Sequence, residues 1–392
     1  MSPDAGRSRS AIYLDHAATT PLDPQVLAVM QPYFTDRFGN AGSVHQFGQT
    51  ARGAVDEARG NVARLLGAQP KEIVFTSGAT EANNAAIIGV VQASPLSTRH
   101  VITAATEHHA VLEPCHWLAG RGVQVTILPV DRFGVVDPED VRRAIRPETV
   151  LVTIMHANNE IGTLAPIAEI GAITRERGVR FHTDATQSAG IVPLNVDALR
   201  VDLLSISAHK RYGPKGVGAL YTRAGVRIES FVHGGSQERG RRGGTENVPG
   251  IVGFGEAIRI AIGRMADDAE RIGALRDRLA AGLGAIDGAI VNGHPTSHLP
   301  GIVNVSFADA DSESLLLALD LDGIAASSGS ACTAGSLEPS HVIASLGIPD
   351  THVMGTLRFS LGRWTTADDI DAVLETLPKI LSGIRRPAGQ RR

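Results

Sequence analysis

The 392-residue chain predicts an α/β protein with a mostly parallel, seven-stranded sheet, helices on both of its faces, and a smaller α+β domain. Two observations carry this. From about Thr19 to the middle of the chain, short β-branched apolar runs alternate with helix-patterned segments, the signature of successive βαβ units. Past a Gly-rich segment at 233–244 the pattern changes to one long amphipathic stretch, 251–283, followed by strand, helix, strand and helix.

The elements follow in order. A strand at 73–76 leads into a helix at 81–91, and a strand at 101–104 into a helix near 111–118. Strands at 123–128, 150–155, 179–183, 203–207 and 217–221 complete the series. The amphipathic stretch is long enough to link two domains. A boundary near Arg264 divides the chain into a large domain, 19–264, and a small one made of 1–18 and 265–392. The small part holds strands at 301–307 and 356–360, a helix at 312–319, and a final helix starting at the Thr365/Thr366 cap.

Composition narrows the function classes. Apolar residues make up 43% of the chain, enough for two cores. The formal net charge of -4 and a pI near 6.4 leave no electrostatic footprint for nucleic acid or an anionic membrane. Cys115 and Cys332 are the two cysteines, too few for a disulfide framework, which suits a reducing cytoplasmic setting. No signal-like apolar core follows the first ten residues, and no apolar run approaches bilayer thickness. The basic end, 385–392, is expected to fray from the last helix.

Lys210 is one of four lysines among 37 Lys plus Arg and ends the apolar run from Val201. An amine can lose its proton and condense with an aldehyde, which a guanidinium cannot. Upstream, Val179-Arg-Phe-His-Thr-Asp184 ends in a carboxylate. An acid and a lysine at the ends of successive strands suit pyridoxal phosphate, which needs an anion at its ring nitrogen and an amine at its aldehyde. Ser77-Gly-Ala-Thr80-Glu81 lies where a strand turns into a helix, so free N–H groups there suit a phosphate, or Ser77 or Thr80 simply caps the helix. The imidazole of Glu107-His108-His109 suits stacking on a flat cofactor and proton transfer. His108, His109, Cys115 and His116 do not follow a recognised zinc spacing; Cys115 is expected in a helix core.

The amides of Asn158-Asn159 suit a substrate carboxylate or a phenolic oxygen and equally suit a turn. Gln187 is placed to reach a cofactor ring oxygen. Arg239-Gly-Arg-Arg-Gly-Gly-Thr245 is too short for an RGG nucleic-acid segment and reads better as a tight loop whose Thr245 reaches a phosphate, in a neighbouring subunit's site if the protein is a symmetric dimer. In Ser327-Ser-Gly-Ser-Ala-Cys332-Thr-Ala-Gly-Ser336, small residues flank one thiol, the setting of a reactive cysteine on a moving loop. Arg358 interrupts an apolar alternation and is favoured over Arg363 as a carboxylate clamp.

Taken together these segments resemble the cysteine desulfurases of the class V aminotransferase family, PLP-dependent enzymes of fold type I, in the branch that supplies sulfur for iron–sulfur clusters. The resemblance runs from Tyr13-Leu-Asp-His-Ala-Ala-Thr-Thr20 to Leu357-Arg-Phe-Ser-Leu-Gly-Arg363. It implies a Schiff base on Lys210, a pyridinium partner in Asp184, and stacking with proton transfer by His108. Gln187 would contact the ring oxygen. Ala79, Thr80, Ser207 and His209 would hold the phosphate, with Thr245 supplied across a homodimer. Asn159 and Arg358 would bind the carboxylate of L-cysteine, and Cys332 would take its sulfur as a persulfide, releasing alanine and passing the sulfur to an iron–sulfur scaffold or other acceptor. Arg211 and Ala82 depart from the family pattern, which bears on surface and packing rather than on the reaction. A transaminase or selenocysteine lyase of the same family, and a docking module that keeps the pocket, are the rival readings.

Overall fold

The computed structural model describes residues 11–329 and 339–384. Strand β1 (Ile12–Tyr13) precedes seven strands of a main sheet: β2 (Ile73–Thr76), β3 (His100–Ala104), β4 (Gln124–Leu128), β5 (Thr149–Thr153), β6 (Arg180–Asp184), β7 (Leu203–Ser207) and β8 (Gly218–Thr222). Their spatial order is β2-β8-β7-β6-β5-β3-β4. Every pairing is parallel except those of β8, which runs antiparallel to both β2 and β7. The exception follows from chain length. A parallel return needs a crossover of a dozen or more residues, and the segment between β7 and β8 holds no helix beyond the 3₁₀ turn Ala208–Lys210. That absent crossover leaves Lys210 at the end of β7.

Strands buried on both faces lose the alternation of half-exposed ones and read as continuous apolar runs. Alternate residues of these strands feed two cores. Phe75, Ile102, Val152 and Leu204 belong to one; their neighbours Val74, Val101, Leu151 and Leu203 belong to the other. The first core is closed by the helices Gln46–Leu66 and Val248–Gly284, through Val55, Val62, Phe254 and Ile258. The second is closed by Ala79–Ala93 and His109–Ala119, through Ile87, Val111 and Cys115. Cys115 is fully buried there, and burial pushes its thiol up to about 12, so it serves as a small apolar residue.

The rest of the chain adds β9 (Ala289–Asn292), β10 (Ile302–Phe307), β11 (Ile324–Ala325) and β12 (Thr356–Ser360). An antiparallel sheet ordered β12-β10-β9 packs with the final helix, Ala367–Ile384, around Leu279, Val305, Phe307, Phe359 and Leu377. β1 crosses to pair with β11. One continuous helix, Val248–Gly284, therefore contributes Phe254 to a main-sheet core and Leu279 to this one. The final helix begins with a reciprocal pair of bonds between Thr366 and Asp369, as the Thr365/Thr366 cap predicted.

The sequence reading passed over the helix Gln46–Leu66, whose many Ala, Gly and Arg residues blur its apolar stripe, and over the short strands β1, β9 and β11. Bounds of the seven main-sheet strands agree to within two residues.

The Gly-rich segment is tied to the main sheet by a buried ion pair. Arg59 and Glu238 share two bonds of 2.7 Å, and Glu238 Oε2 also accepts the Phe75 N–H at 3.0 Å. Breaking a buried pair from one side leaves an uncompensated charge, so Glu238→Ala is expected to cost about 3–5 kcal/mol. Urea unfolding of the variant beside the parent measures this; a loss below about 1 kcal/mol, the worth of an exposed pair, would contradict it.

Candidate active site

The parallel strands point their carboxyl ends at one edge of the sheet, where ligands of open α/β folds bind. Asp184 is the last residue of β6 and Ser207 the last of β7, while β2 runs through Ser77 and Gly78 into the helix Ala79–Ala93. β8 enters the same edge with Gly218. A Cβ there would stand 2.8 Å from Gly78 Cα and 2.6 Å from the Ile206 carbonyl, so only glycine permits the approach. The result is a cavity of about 540 Å³ lined by Ala79, Thr80, His108, Asn159, Asp184, Gln187, Ser207, His209, Lys210 and Arg358, among others. Ten of the twelve residues predicted for the site thus meet in one space. Thr245 is exposed and does not line the cavity, and Cys332 lies outside the described residues.

Lys210 Nζ donates to the carbonyls of Ala17 and Ala18, each at 2.6 Å. Two neutral acceptors satisfy the amine without the full stabilisation that a carboxylate contact would give its charge. Burial first, then the nearby Arg358 guanidinium, lower its pKa to about 8, against the opposing pull of Asp15. Arg211, which the sequence flagged as a departure affecting surface and packing, is in fact buried behind it. Its guanidinium donates to the backbone carbonyls of Ala189, Gln187 and Lys210 itself.

Asp184 is held by the Asn83 amide at 2.7 Å and by the Thr186 N–H at 2.9 Å. Its strand pairs in register with β7, Asp184 opposite Ser205. His108 caps the helix His109–Ala119, its Nδ1 accepting the Ala110 N–H at 3.0 Å. Burial lowers its pKa, so the ring is neutral near pH 7. With Nδ1 used as an acceptor, the proton belongs on Nε2. His209 is neutral too, lowered to about 4 by burial and by the charges of Lys210, Lys215 and Arg211, and its Nδ1 meets the Thr19 hydroxyl at 3.1 Å.

Where the helix Ala79–Ala93 starts, Gly78 offers no side-chain cap. Its first-turn N–H groups face the cavity beside the Thr80 and Ser207 hydroxyls. The capping alternative for Ser77 and Thr80 is thereby set aside. Glu81 braces the turn, accepting the Ser77 N–H at 2.8 Å and the Arg242 guanidinium at 2.9 Å.

Arg358 is fixed from three sides: Asp15 at 2.7 Å, the Gly329 carbonyl at 2.6 Å and the Asn159 carbonyl at 3.0 Å. Its buried Nε has no partner among the described residues. The two asparagines divide the alternatives left open by the sequence. Asn158 builds the turn, accepting the N–H groups of Glu160 and Ile161, whereas Asn159 faces the cavity. Arg363, the second candidate clamp, pairs with Asp23 and Asp268 instead.

Sequence reasoning missed Asp15 and Asn83, which orient Arg358 and Asp184. Asp15 lies inside a motif that had been noticed, and Asn83 follows Ala79 by four residues on one helix face, so a periodicity argument could have found it.

A profile of the aminotransferase class-V family matches residues 12–373. The chain belongs to that family. Among its relatives, the cysteine desulfurase IscS of Dictyoglomus turgidum is 51% identical over 375 residues, covering 95% of each chain. The cysteine desulfurase IscS of Methanosarcina thermophila is 51% identical over 375 residues, 96% of this chain and 93% of its own. A solved NifS-like protein superposes with a TM-score of 0.90 at 37% identity, covering 95% of this chain and 100% of that one. SspA in complex with cysteine superposes with a TM-score of 0.80 at 36% identity, covering 91% and 100%. This class-V chain is accordingly a PLP-dependent enzyme of fold type I, as the resemblance implied.

A depressed amine makes a direct prediction. Only the neutral form is nucleophilic, so labelling of Lys210 in cofactor-free protein is expected to rise with pH to half its maximum near pH 8, below the roughly 10.4 of a free lysine. Competitive acylation read by peptide mass spectrometry measures it; a midpoint above pH 10 would contradict the burial argument.

Proposed function

We propose that this chain is a pyridoxal-5'-phosphate-dependent cysteine desulfurase. It takes the sulfur of L-cysteine as a persulfide on Cys332, releases L-alanine, and passes the sulfur to an acceptor for iron–sulfur cluster assembly and other sulfur transfer. One observation carries the reading: Asp184 and Lys210, from the ends of adjacent parallel strands, line one cavity with a neutral His108 and a pinned Arg358.

The donor set fits the cofactor. Uncapped N–H groups at Ala79 and Thr80, with the Ser207 hydroxyl and His209, suit its phosphate. Asp184, already oriented by Asn83, suits a protonated ring nitrogen, and Gln187 and His108 suit the ring oxygen and the ring face. When bound, pyridoxal phosphate supplies an aldehyde for amines and a ring that accepts the electrons of the Cα–H bond.

The protein's own groups do the rest. Arg358 and Asn159, which line the cavity, hold the substrate carboxylate. Lys210 Nζ would take the proton from the substrate Cα. The Cys332 thiolate attacks the substrate sulfur, the carbon–sulfur bond breaks, and its electron pair stays with the carbon skeleton that leaves, after protonation, as alanine. His108, carrying its proton on Nε2, serves these proton transfers.

The exposed Thr245, on a segment locked to the sheet through Glu238, supports a homodimer in which it completes the phosphate site of the partner subunit. The separate cores support a large domain at 19–264 and a small one at 1–18 and 265–392. The scarcity of cysteine supports a cytoplasmic location. Among the described residues no helix is long and apolar enough to cross a membrane.

With L-cysteine and no reductant, alanine is expected in step with persulfide on Cys332; with reductant, sulfide accompanies it. Lys210→Ala abolishes turnover. His108→Ala slows it by roughly 10² to 10⁴, the worth of a positioned proton donor. Cys332→Ala keeps cofactor absorbance but yields no persulfide, and sulfide release by that variant at the parental rate would refute the assignment.

A further inference from the structure

Thr20 is 3% exposed and forms no part of the wall of the cavity that holds Lys210, yet its side chain brackets that lysine. Its Oγ1 donates to the His209 carbonyl at 2.8 Å and accepts the Tyr212 N–H at 2.8 Å. One hydroxyl thus spends its donor and an acceptor lone pair on the two residues that flank Lys210-Arg211. Beside it, the Thr20 N–H reaches the His209 carbonyl at 3.0 Å, and the Asp23 N–H reaches the Tyr212 carbonyl at 2.9 Å. The same stretch supplies the Ala17 and Ala18 carbonyls that receive Lys210 Nζ. Backbone and amine are therefore both registered against residues 17–23.

The turn needs this grip. Tyr212 has a φ of +57°, a left-handed conformation that a bulky residue keeps only where its surroundings over-determine it. Its ring lies 4.9 Å from that of Trp364 and 4.4 Å from the Arg363 guanidinium, and its hydroxyl accepts the Arg363 N–H at 2.5 Å. Without the Thr20 hydroxyl, the buried Tyr212 N–H would lose its acceptor, and the strained turn would relax to find another. A valine would match the threonine in shape but supply neither bond.

We propose that Thr20 is a positioning residue for the reacting amine: its hydroxyl fixes the turn 209–212 against 17–20, so that Lys210 Nζ meets the Ala17 and Ala18 carbonyls. The inference rests on Lys210 as the residue that takes the cofactor aldehyde. The charges acting on this amine are Arg358, Asp15, Arg211 and Asp184, while His108 and His209 face it with lowered pKa values. Substituting Thr20 removes none of them. A changed titration of Lys210 therefore reports a changed position, and an amine that slips toward water titrates higher.

The test compares the full chain, freed of cofactor, with Thr20→Val and Thr20→Ser. Competitive acylation of Lys210 across the pH range, read by peptide mass spectrometry, gives the midpoint, and Tm reports folding. Thr20→Val is expected to raise the midpoint by about one pH unit or more, a tenfold loss of acidity. Thr20→Ser, which keeps the donor and the acceptor, returns it to within about half a pH unit of the parent. A purely structural role would lower Tm in Thr20→Val and leave the midpoint within about half a pH unit of the parent; that result, or a Thr20→Ser midpoint as displaced as that of Thr20→Val, overturns the proposal. If Thr20→Val does not fold, Thr20→Ala, which introduces no group in the hydroxyl's place, decides by the same criteria. Borohydride mapping of the cofactor to another lysine in the parent brings down the functional reading itself, and this inference with it.

Discussion

The site depends on an amine that is largely desolvated but not neutralised. Lys210 Nζ is satisfied by two peptide carbonyls, Ala17 and Ala18, while a guanidinium, Arg358, is near enough to oppose its charge. Had its direct contact been a carboxylate, the ammonium would be stabilised and the nucleophile lost. The carbonyls come from the segment that follows β1, the strand that crosses to pair with β11. Lys210 reactivity therefore depends on chain crossing between the two sheets, and cannot be assigned to β7 alone.

The opposing charge has its own supports. Asp15, three residues after Ile12 of β1, pairs with Arg358, so one short segment both cradles the amine and pins the clamp. Asp184 gains two hydrogen bonds of its own, from Asn83 and Thr186, which keep it a fixed acceptor in the cavity wall. His108, carrying its proton on Nε2 while its Nδ1 caps a helix, is a neutral ring. The arrangement brings a carboxylate, a neutral imidazole and an amine of lowered pKa into one polar cavity, the kind of constellation that marks a functional site.

Much of this was legible in the residues. The main-sheet strands other than the edge strand β4 are largely buried, so they announced themselves as apolar β-branched runs, and the candidate site groups follow strand ends where such runs stop. Lys210 stood out because arginine supplies nearly every other cation. The antiparallel turn of β8 was not read, although the short segment after Lys210 forces it. Less legible were groups whose meaning arises only on folding. Asp15 meets Arg358 across 343 positions and Thr20 meets His209 across 189, spacings that no local pattern encodes. Arg211 shows the reverse limit: an odd residue after the lysine was visible, but its burial among three carbonyls was not. The helix Gln46–Leu66 escaped because alanine and glycine carry little apolar contrast.

We propose that Lys210 is the amine that binds the cofactor aldehyde. Incubating the protein with pyridoxal phosphate, reducing with borohydride and mapping the modified peptide by mass spectrometry tests it most directly. One irreversible adduct is expected, on Lys210, with stoichiometry approaching one per chain. Modification at Lys71, Lys215 or Lys379 in its place, or a protein that takes up no chromophore, would contradict it.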